Sequence, residues 1–279
     1  MKKTRFAPSP TGLLHLGNAY SALVCEQWAK KHDAALFLRV EDIDFTRCKP
    51  KFSKQMLDDL TWLGISFDVV SFQQQRLVLY EQALQQLIDM DVLYPCFCTR
   101  KQVNATLASQ KVNRHLKTEH CLEAYPGTCK HLATELRQQQ MLNMPYAWRL
   151  DCQTVFERVG KLCAWQDVQG HKHLFNVLDI GDVIIGRKDI RFSYHLCVVV
   201  DDAEQGITHV IRGEDLRSST PVHHVLQRLL GYKSPQYLHH VLITNNEGIR
   251  LAKSKGSPAL QALRENGVTA EQVRQSLGF

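Results

Sequence analysis

The chain has 279 residues, 44% of them hydrophobic and 22% charged, which suits a globular protein able to bury a full core as one large domain or two modest ones. No run approaches the roughly 20 uninterrupted apolar residues that cross a bilayer, so a helical membrane protein is excluded. The formal charge of +6 is a mild excess, compatible with a polyanionic partner and equally with a plain solvated surface.

The basic start, Met1 to Arg5, is followed by Pro8, Ser9 and Pro10, where a signal peptide carries its apolar stretch. The expected location is the cytoplasm. Nine cysteines are an odd number in a chain with no export signal, which points to reduced thiols or metal ligands rather than a disulfide framework.

Thr4 to Ala7 reads as a short strand and Pro8 to Gly12 as a turn-rich loop. A helix is expected from about His15 to Lys31, with Ala19, Leu23, Trp28 and Ala29 in its core face. Ala35 to Val40 is a nearly continuous apolar strand that ends in Glu41-Asp42-Ile43-Asp44. Strand, helix and buried strand are the elements of a βαβ unit, so the expected fold class is α/β with a parallel sheet. Helical patterns recur at 52–63 and 76–90. Residues 94–144 are rich in Lys, Gln and His, carry four cysteines and read as an insertion. Strands are expected again at Asp182–Ile185, Leu196–Val200 and Ile207–Ile211. Thr220-Pro221 opens a helix, with Thr as N-cap and Pro first inside. Thr269 with Gln272 forms a capping box for a last short helix.

Neither a Walker-type phosphate loop nor a G-x-G-x-x-G fingerprint occurs, so a nucleotide site must be built otherwise. The first strand instead leads into Arg5-Phe6-Ala7-Pro8-Ser9-Pro10-Thr11-Gly12-Leu13-Leu14-His15-Leu16-Gly17-Asn18. In an open α/β sheet, ligands sit beyond the carboxyl ends of the strands, where this loop falls. His15 and Gly17 at the helix start can serve phosphate and adenine, because free backbone N–H groups and the helix dipole favour an anion. Gly17 also lets a flat base approach the backbone. Far downstream, Arg250-Leu251-Ala252-Lys253-Ser254-Lys255-Gly256 is a Gly-flanked Lys/Ser loop suited to neutralising a transferring phosphoryl group. Each element alone has a bland reading, as a capped turn and as a solvated loop.

Together they resemble the two signatures of the class I aminoacyl-tRNA synthetases. His15-Leu16-Gly17-Asn18 matches the first, and Leu251 to Lys255 is a degenerate form of the second. The flanking Arg5 to Gly12 narrows the resemblance to the glutamyl type, over nearly the whole chain. It departs from the family pattern at Asn18, in place of a second His, and at Ala252, in place of a small hydroxyl residue. The resemblance implies a Rossmann-type catalytic domain split over residues 1–95 and 146–230, a zinc-bearing insertion at 96–145, and a second-signature loop with C-terminal helices at 231–279. It further implies that His15, Gly17, Asn18 and Lys253 contact ATP, with His15 and Lys253 catalytic and Mg2+ on the phosphates.

Glutamate is then held by Arg5, Ser9, Glu41, Tyr194 and Arg212. Two carboxylates and one ammonium need cationic forks and one anion, which Arg5, Arg212 and Glu41 supply. Other readings of these residues stay open. Glu41, Asp42 and Asp44 also fit strand-end caps or magnesium ligands, Tyr194 fits ordinary core, and Arg212 fits a pair with Glu214 or Asp215.

Zinc takes four ligands, and thiolates on short loops supply them. The glutamyl-type pattern of C-x-C, a Tyr and a later Cys maps to Cys96, Cys98, Tyr125 and Cys129. His120, Cys121 and His131 compete for the fourth place. A closed four-ligand site is structural.

Only residues 256–279 follow the second signature, whereas an independent domain needs about 50 residues. No anticodon-binding domain is therefore expected. That shape resembles the truncated glutamyl paralogues that activate glutamate without tRNA and attach it to queuosine, the wobble base of tRNA(Asp). The implied partners are ATP, L-glutamate and queuosine-bearing tRNA(Asp), met by a monomer with no membrane contact. Lys111, Arg114 and Lys117 are candidate RNA contacts. Two rival readings are a glutamyl-tRNA synthetase that has lost its anticodon domain and charges tRNA(Glu), and an inert tRNA-binding paralogue. The hallmark of the last would be loss of His15, Lys253 or the Arg5/Glu41 set, and all are present.

Overall fold

The computed structural model describes residues 1–109, 125–244 and 258–279. In chain order it begins with β1 (Lys3–Phe6), α1 (Leu16–His32), β2 (Ala35–Val40), α2 (Pro50–Trp62) and β3 (Val69–Phe72), and a 3-10 turn at Gln73–Arg76 leads into α3 (Leu77–Asp89). There follow β4 (Leu93–Cys96), α4 (Arg100–Ser109), α5 (Thr134–Asn143), β5 (Ala147–Leu150), α6 (Cys152–Val159) and the strands β6 (Leu162–Gln166) and β7 (Lys172–Asn176). Next come β8 (Ile184–Arg187), β9 (Arg191–Phe192), α7 (Tyr194–Glu204), β10 (His209–Gly213), α8 (Thr220–Leu229), β11 (Gln236–His240), α9 (Leu260–Glu265) and α10 (Ala270–Ser276). Two compact units result. The first holds Met1–Leu77, Gly206–Arg217 and Pro235–Phe279, and the second Val78–Gln205 and Ser218–Ser234. Among the described residues no helix is long and apolar enough to cross a membrane.

The first unit is the parallel α/β assembly. β1 pairs with β2 and β2 with β3, all parallel, while β10 pairs parallel with β11. Thr208 N–H donates to Lys3 O at 3.0 Å and Lys3 N–H to Thr208 Oγ1 at 2.9 Å, which lays β10 beside β1. Further along both strands, the Cys25 thiol reaches Arg5 O and Ile211 O. The contacts run in the same order on both strands, so these too are parallel. Ala19, Ala22 and Leu23 of α1 pack with Leu38 and Val40, with Met56 and Leu60 of α2, and with Leu260 and Val273 of the last two helices. Arg274 ties α10 down, pairing with Glu26 at 2.7 Å and donating to Leu63 O at 3.0 Å. The expected Thr269/Gln272 capping box is formed.

The second unit is built on an antiparallel sheet of order β4-β5-β8-β9 with the separate β6–β7 ribbon. Here the structure corrects the sequence. Leu196–Val200 is not a strand but the middle of α7, whose N-cap Ser193 accepts the Leu196 N–H. Residues 196–200 are apolar and buried without interruption, and such a run has no visible period to distinguish a helix from a buried strand. The strand expected at Asp182 starts at Ile184, and that expected at Ile207 starts at His209. α8 is capped one residue early: Ser219 is the N-cap, without a side-chain bond, and Thr220 is already helical.

His224, on α8, meets the Phe175 ring edge-on and lies 3.1 Å from Ser234 Oγ. Burial, with help from Arg228, pulls its pKa down to about 4. Between pH 6.5 and about 4 the unfolded chain therefore takes up a proton that the native state refuses. Stability falls as pH drops through this window and levels off below it, by up to about 3 kcal/mol from this group. Urea unfolding at pH 7 and pH 4.5 should show a smaller loss in His224→Gln than in wild type; equal losses would contradict the assignment.

Candidate functional site

The carboxyl ends of the parallel strands in the first unit carry most of the residues singled out by the sequence. The loop after β1 is fastened to the end of β2 by Glu41 N–H donating to Pro8 O at 3.0 Å. His15 is the N-cap of α1, in extended conformation, and its Nδ1 accepts the Gly17 N–H at 3.1 Å. Asn18 returns the bond, its Oδ1 accepting the His15 N–H at 3.1 Å. The His-x-Gly-Asn motif is thus a capping box in which His takes the usual Ser or Thr place. That bond fixes the imidazole tautomer, since an Nδ1 that accepts leaves the proton on Nε2. Asn18, which the resemblance assigns to ATP, has its side-chain oxygen committed to this cap. Leu260 N–H donates to Leu14 O at 2.9 Å and Ala259 bridges to His15, so the C-terminal segment returns to the same loop. Lys253 and its signature lie outside the described residues, as do Lys111, Arg114, Lys117, His120 and Cys121.

Arg5, Glu41 and Arg212 are buried at 3%, 6% and 4% exposure, whereas Ser9 is exposed. Two cations and an anion so deeply placed are costly unless arranged for charged partners. The Cys25 thiol, pushed up to about 12 by its burial, is neutral and holds the Arg5 and Ile211 carbonyls together. Arg5 and Arg212 are thereby set on neighbouring strand ends. Arg212 donates Nε to His239 Nε2 at 3.3 Å, and its guanidinium carbon lies 5.2 Å from the Tyr237 ring centroid. Tyr237 and His239 stack in parallel on one face of β11. Glu214 pairs with Arg217 instead of Arg212. The next residue, Gly213, is closely covered: a Cβ there would stand 2.5 Å from Asp215 Oδ1 and 2.9 Å from Leu242 Cδ2, so both side chains would have to move.

Asp42 and Asp44 prove to be local fasteners. Asp42 accepts Gln74 N–H at 3.0 Å, and its carbonyl accepts the Gln74 amide at 2.9 Å. Asp44 accepts Arg47 Nε at 2.7 Å and the Thr46 hydroxyl; these bonds outweigh its burial and lower its pKa to about 2.

Tyr194 is in the second unit, as the first residue of α7, with its ring edge-on to His195 and His223. Those two imidazoles approach within 3.1 Å, Nδ1 to Nε2.

The second unit also holds the cysteine cluster. The sulfurs of Cys96, Cys98 and Cys129 lie within 4.8 Å of one another. The Tyr125 hydroxyl is 3.4 Å from Cys96 Sγ and 3.6 Å from Cys98 Sγ, and it accepts the Cys129 N–H at 3.0 Å. Three sulfurs and one phenol oxygen converging this way fit a four-coordinate zinc ion. Among the described residues His131 is not in the group. Burial alone would raise the Cys129 thiol, yet bonds from Tyr125 and from the Phe97 N–H bring it below the usual thiol range. Around this group stand residues the sequence did not announce. Lys188 donates Nζ to the carbonyls of Phe97 and Cys98 at 2.7 and 3.0 Å and so fixes the C-x-C turn. The Arg149 guanidinium lies 3.9 Å over the Tyr125 ring. No local pattern predicts either contact, since Lys188 and Phe97 are 91 positions apart.

Residues 2–278 match the family model "tRNA synthetases class I (E and Q), catalytic domain". A Glutamyl-Q tRNA(Asp) synthetase of Rhodobacter capsulatus is 39% identical over 281 aligned residues, covering 99% of each chain. A glutamate–tRNA ligase of Hydrogenobaculum is 34% identical over 98% of this chain, which spans 57% of that protein. The crystal structure of a glutamate-tRNA synthetase from Elizabethkingia anophelis superposes with a TM-score of 0.75 at 26% identity, over 92% of this chain and 54% of that one.

Proposed function

The chain belongs to the class I tRNA synthetases of the E and Q type, and on that premise we propose that it uses ATP to activate glutamate and transfers the glutamyl group to queuosine in tRNA(Asp). The observation that carries this reading is the end-to-end match, 39% identical over 99% of both chains, to a protein named for that reaction.

The proposed site lies at the strand ends of the first unit. Arg5 and Arg212 receive the carboxylates of glutamate, Glu41 receives its ammonium group, and the loop through Ser9 closes the strand-end side. Sequence resemblance adds Tyr194 to this set. One carboxylate oxygen attacks the α-phosphorus of ATP, the bond to the bridging oxygen breaks, and pyrophosphate leaves. No covalent enzyme intermediate is needed, so catalysis rests on positioning and on stabilising charge. ATP arrives with Mg2+, which shields its phosphates. His15, with its proton held on Nε2 by the capping box, is suited to donate a hydrogen bond to a phosphate oxygen; Gly17 admits the adenine, and Asn18 holds His15 in place. Lys253 neutralises the leaving pyrophosphate, a role supported by its resemblance to the second signature; six residues further on, Ala259 bridges to His15. A hydroxyl of queuosine then attacks the activated carbonyl, and AMP leaves. Cys96, Cys98, Tyr125 and Cys129 hold one structural zinc ion, which supplies a cross-link within the second unit and no chemistry.

The test is to incubate the protein with ATP and labelled glutamate, in turn with queuosine-bearing tRNA(Asp), with tRNA(Asp) lacking queuosine, and with tRNA(Glu). Nucleoside analysis then locates the label. The expected result is label on queuosine alone, with glutamate-dependent ATP–pyrophosphate exchange in the absence of any tRNA. Label on the terminal adenosine of tRNA(Glu) would overturn it in favour of the charging reaction.

A further inference from the structure

The segment that follows Glu41 presents a feature that adenylate formation does not use. Asp44 is a buried fastener for its own turn: its carboxylate holds Thr46 and Arg47, and its carbonyl accepts the Cys48 N–H at 2.8 Å. Cys48 is buried beneath the turn, its sulfur 3.7 Å from Glu41 O. The turn is therefore fixed from below, while Phe45 at its tip stands 59% exposed. A large aromatic held out on a braced turn exposes apolar surface that the fold does not recover.

Its surroundings are basic. Arg47, Lys49, Lys51 and Lys54 are all exposed, and no Asp or Glu occurs between Phe45 and Leu57. Arg47 is balanced by Asp44, which leaves three lysines on the loop and the first turns of α2. An exposed aromatic interleaved with cations is the composition of a surface for nucleic acid: the ring offers a stacking face to a base and the lysines meet the flanking phosphates. A protein or lipid partner would call for a wider apolar area than one ring.

We propose that Phe45 is a base-stacking platform for the acceptor RNA, with Lys49, Lys51 and Lys54 on the adjoining phosphates. This rests on the reading that the acyl acceptor is RNA. The platform begins four residues after Glu41, so it seats a nucleobase at the edge of the proposed glutamate site and orients the strand that receives the acyl group.

The experiment compares wild type with Phe45→Ala, Phe45→Trp and the double variant Lys49→Ala/Lys51→Ala. Three quantities are read: ATP–pyrophosphate exchange without RNA, glutamyl transfer to tRNA(Asp), and equilibrium binding of tRNA(Asp) as a function of salt. In Phe45→Ala, exchange should stay within about twofold of wild type, while the Kd and the KM for tRNA(Asp) rise roughly tenfold or more. Phe45→Trp should restore both. The lysine pair should lower the slope of log Kd against log salt by roughly 1.4 to 1.8, whereas Phe45→Ala should leave it unchanged. Unchanged RNA affinity in Phe45→Ala overturns the proposal, as does a loss of exchange equal to the loss of transfer or the absence of tRNA binding in wild type. If wild type binds tRNA(Asp) but glutamylates no queuosine, the acceptor assignment falls, and the binding comparison still decides the role of Phe45.

Discussion

Arg212→Ala should lower glutamate-dependent ATP–pyrophosphate exchange by about 10²–10³-fold while leaving the KM for ATP near its wild-type value. Arg212 is 4% exposed, so a substrate carboxylate that meets it is paired where water cannot substitute. Removing one partner of a buried, hydrogen-bonded charge pair costs about 2–5 kcal/mol, chiefly because the other charge is left without a counterion. At 1.36 kcal/mol per factor of ten, the expected loss falls inside that range. Arg212→Lys separates charge from geometry. It keeps a cation but loses the planar fork and the Nε bond to His239, so a loss of roughly tenfold or more is expected there as well. Circular dichroism and the melting temperature of both variants should remain close to wild type. Exchange within threefold of wild type in Arg212→Ala would remove this residue from the glutamate site.

Cys129→Ala should yield protein with almost no bound zinc, against one ion per chain in wild type, and with a melting temperature lower by on the order of 10 °C. The size of the effect follows from how little else holds the described residues of the insertion. α4 and α5 have no buried residue, and the local core consists of Tyr94, Cys96, Phe97 and Cys129 with a few partly buried neighbours. Structural zinc in small domains contributes folding free energy directly, so removing one thiolate removes most of it. Tyr125→Phe should act more gently: three thiolates still bind the ion, affinity falls, and a stronger chelator becomes unnecessary for its removal. Equal zinc content in Cys129→Ala and wild type would show that the cluster is not the metal site.

The first 45 residues were the most legible part of the chain. There the residues proposed for chemistry also set local structure: His15 and Asn18 cap α1, and Glu41 follows directly on a strand that is apolar but for Arg39. Short-range rules suffice for such a segment. Leu196–Val200 reads as a strand because five consecutive buried apolar residues of a helix show no period. The support of the site was illegible for a different reason. Arg212 depends on His239, 27 positions away, and the C-x-C turn depends on Lys188, 91 positions away. Such pairings follow from the register of strands, which a single sequence does not reveal. The cysteine set was recognisable from its resemblance to a spacing pattern, and the structure brings its three sulfurs and the phenol together.

The seam between β1 and β10 also bears on how the protein is made. Lys3 and Thr208, which bond across that seam, are 205 positions apart. A ribosome adding about 5–20 residues per second therefore needs roughly 10–40 s to supply β10 after β1 has been synthesised. Throughout that interval the nascent β1 has β2 on one side and a bare row of amide and carbonyl groups on the other, a template for pairing with another chain. Biosynthesis thus carries a window of vulnerability that ends only with the arrival of Thr208, and chains interrupted before that point should be found with chaperones or in aggregates.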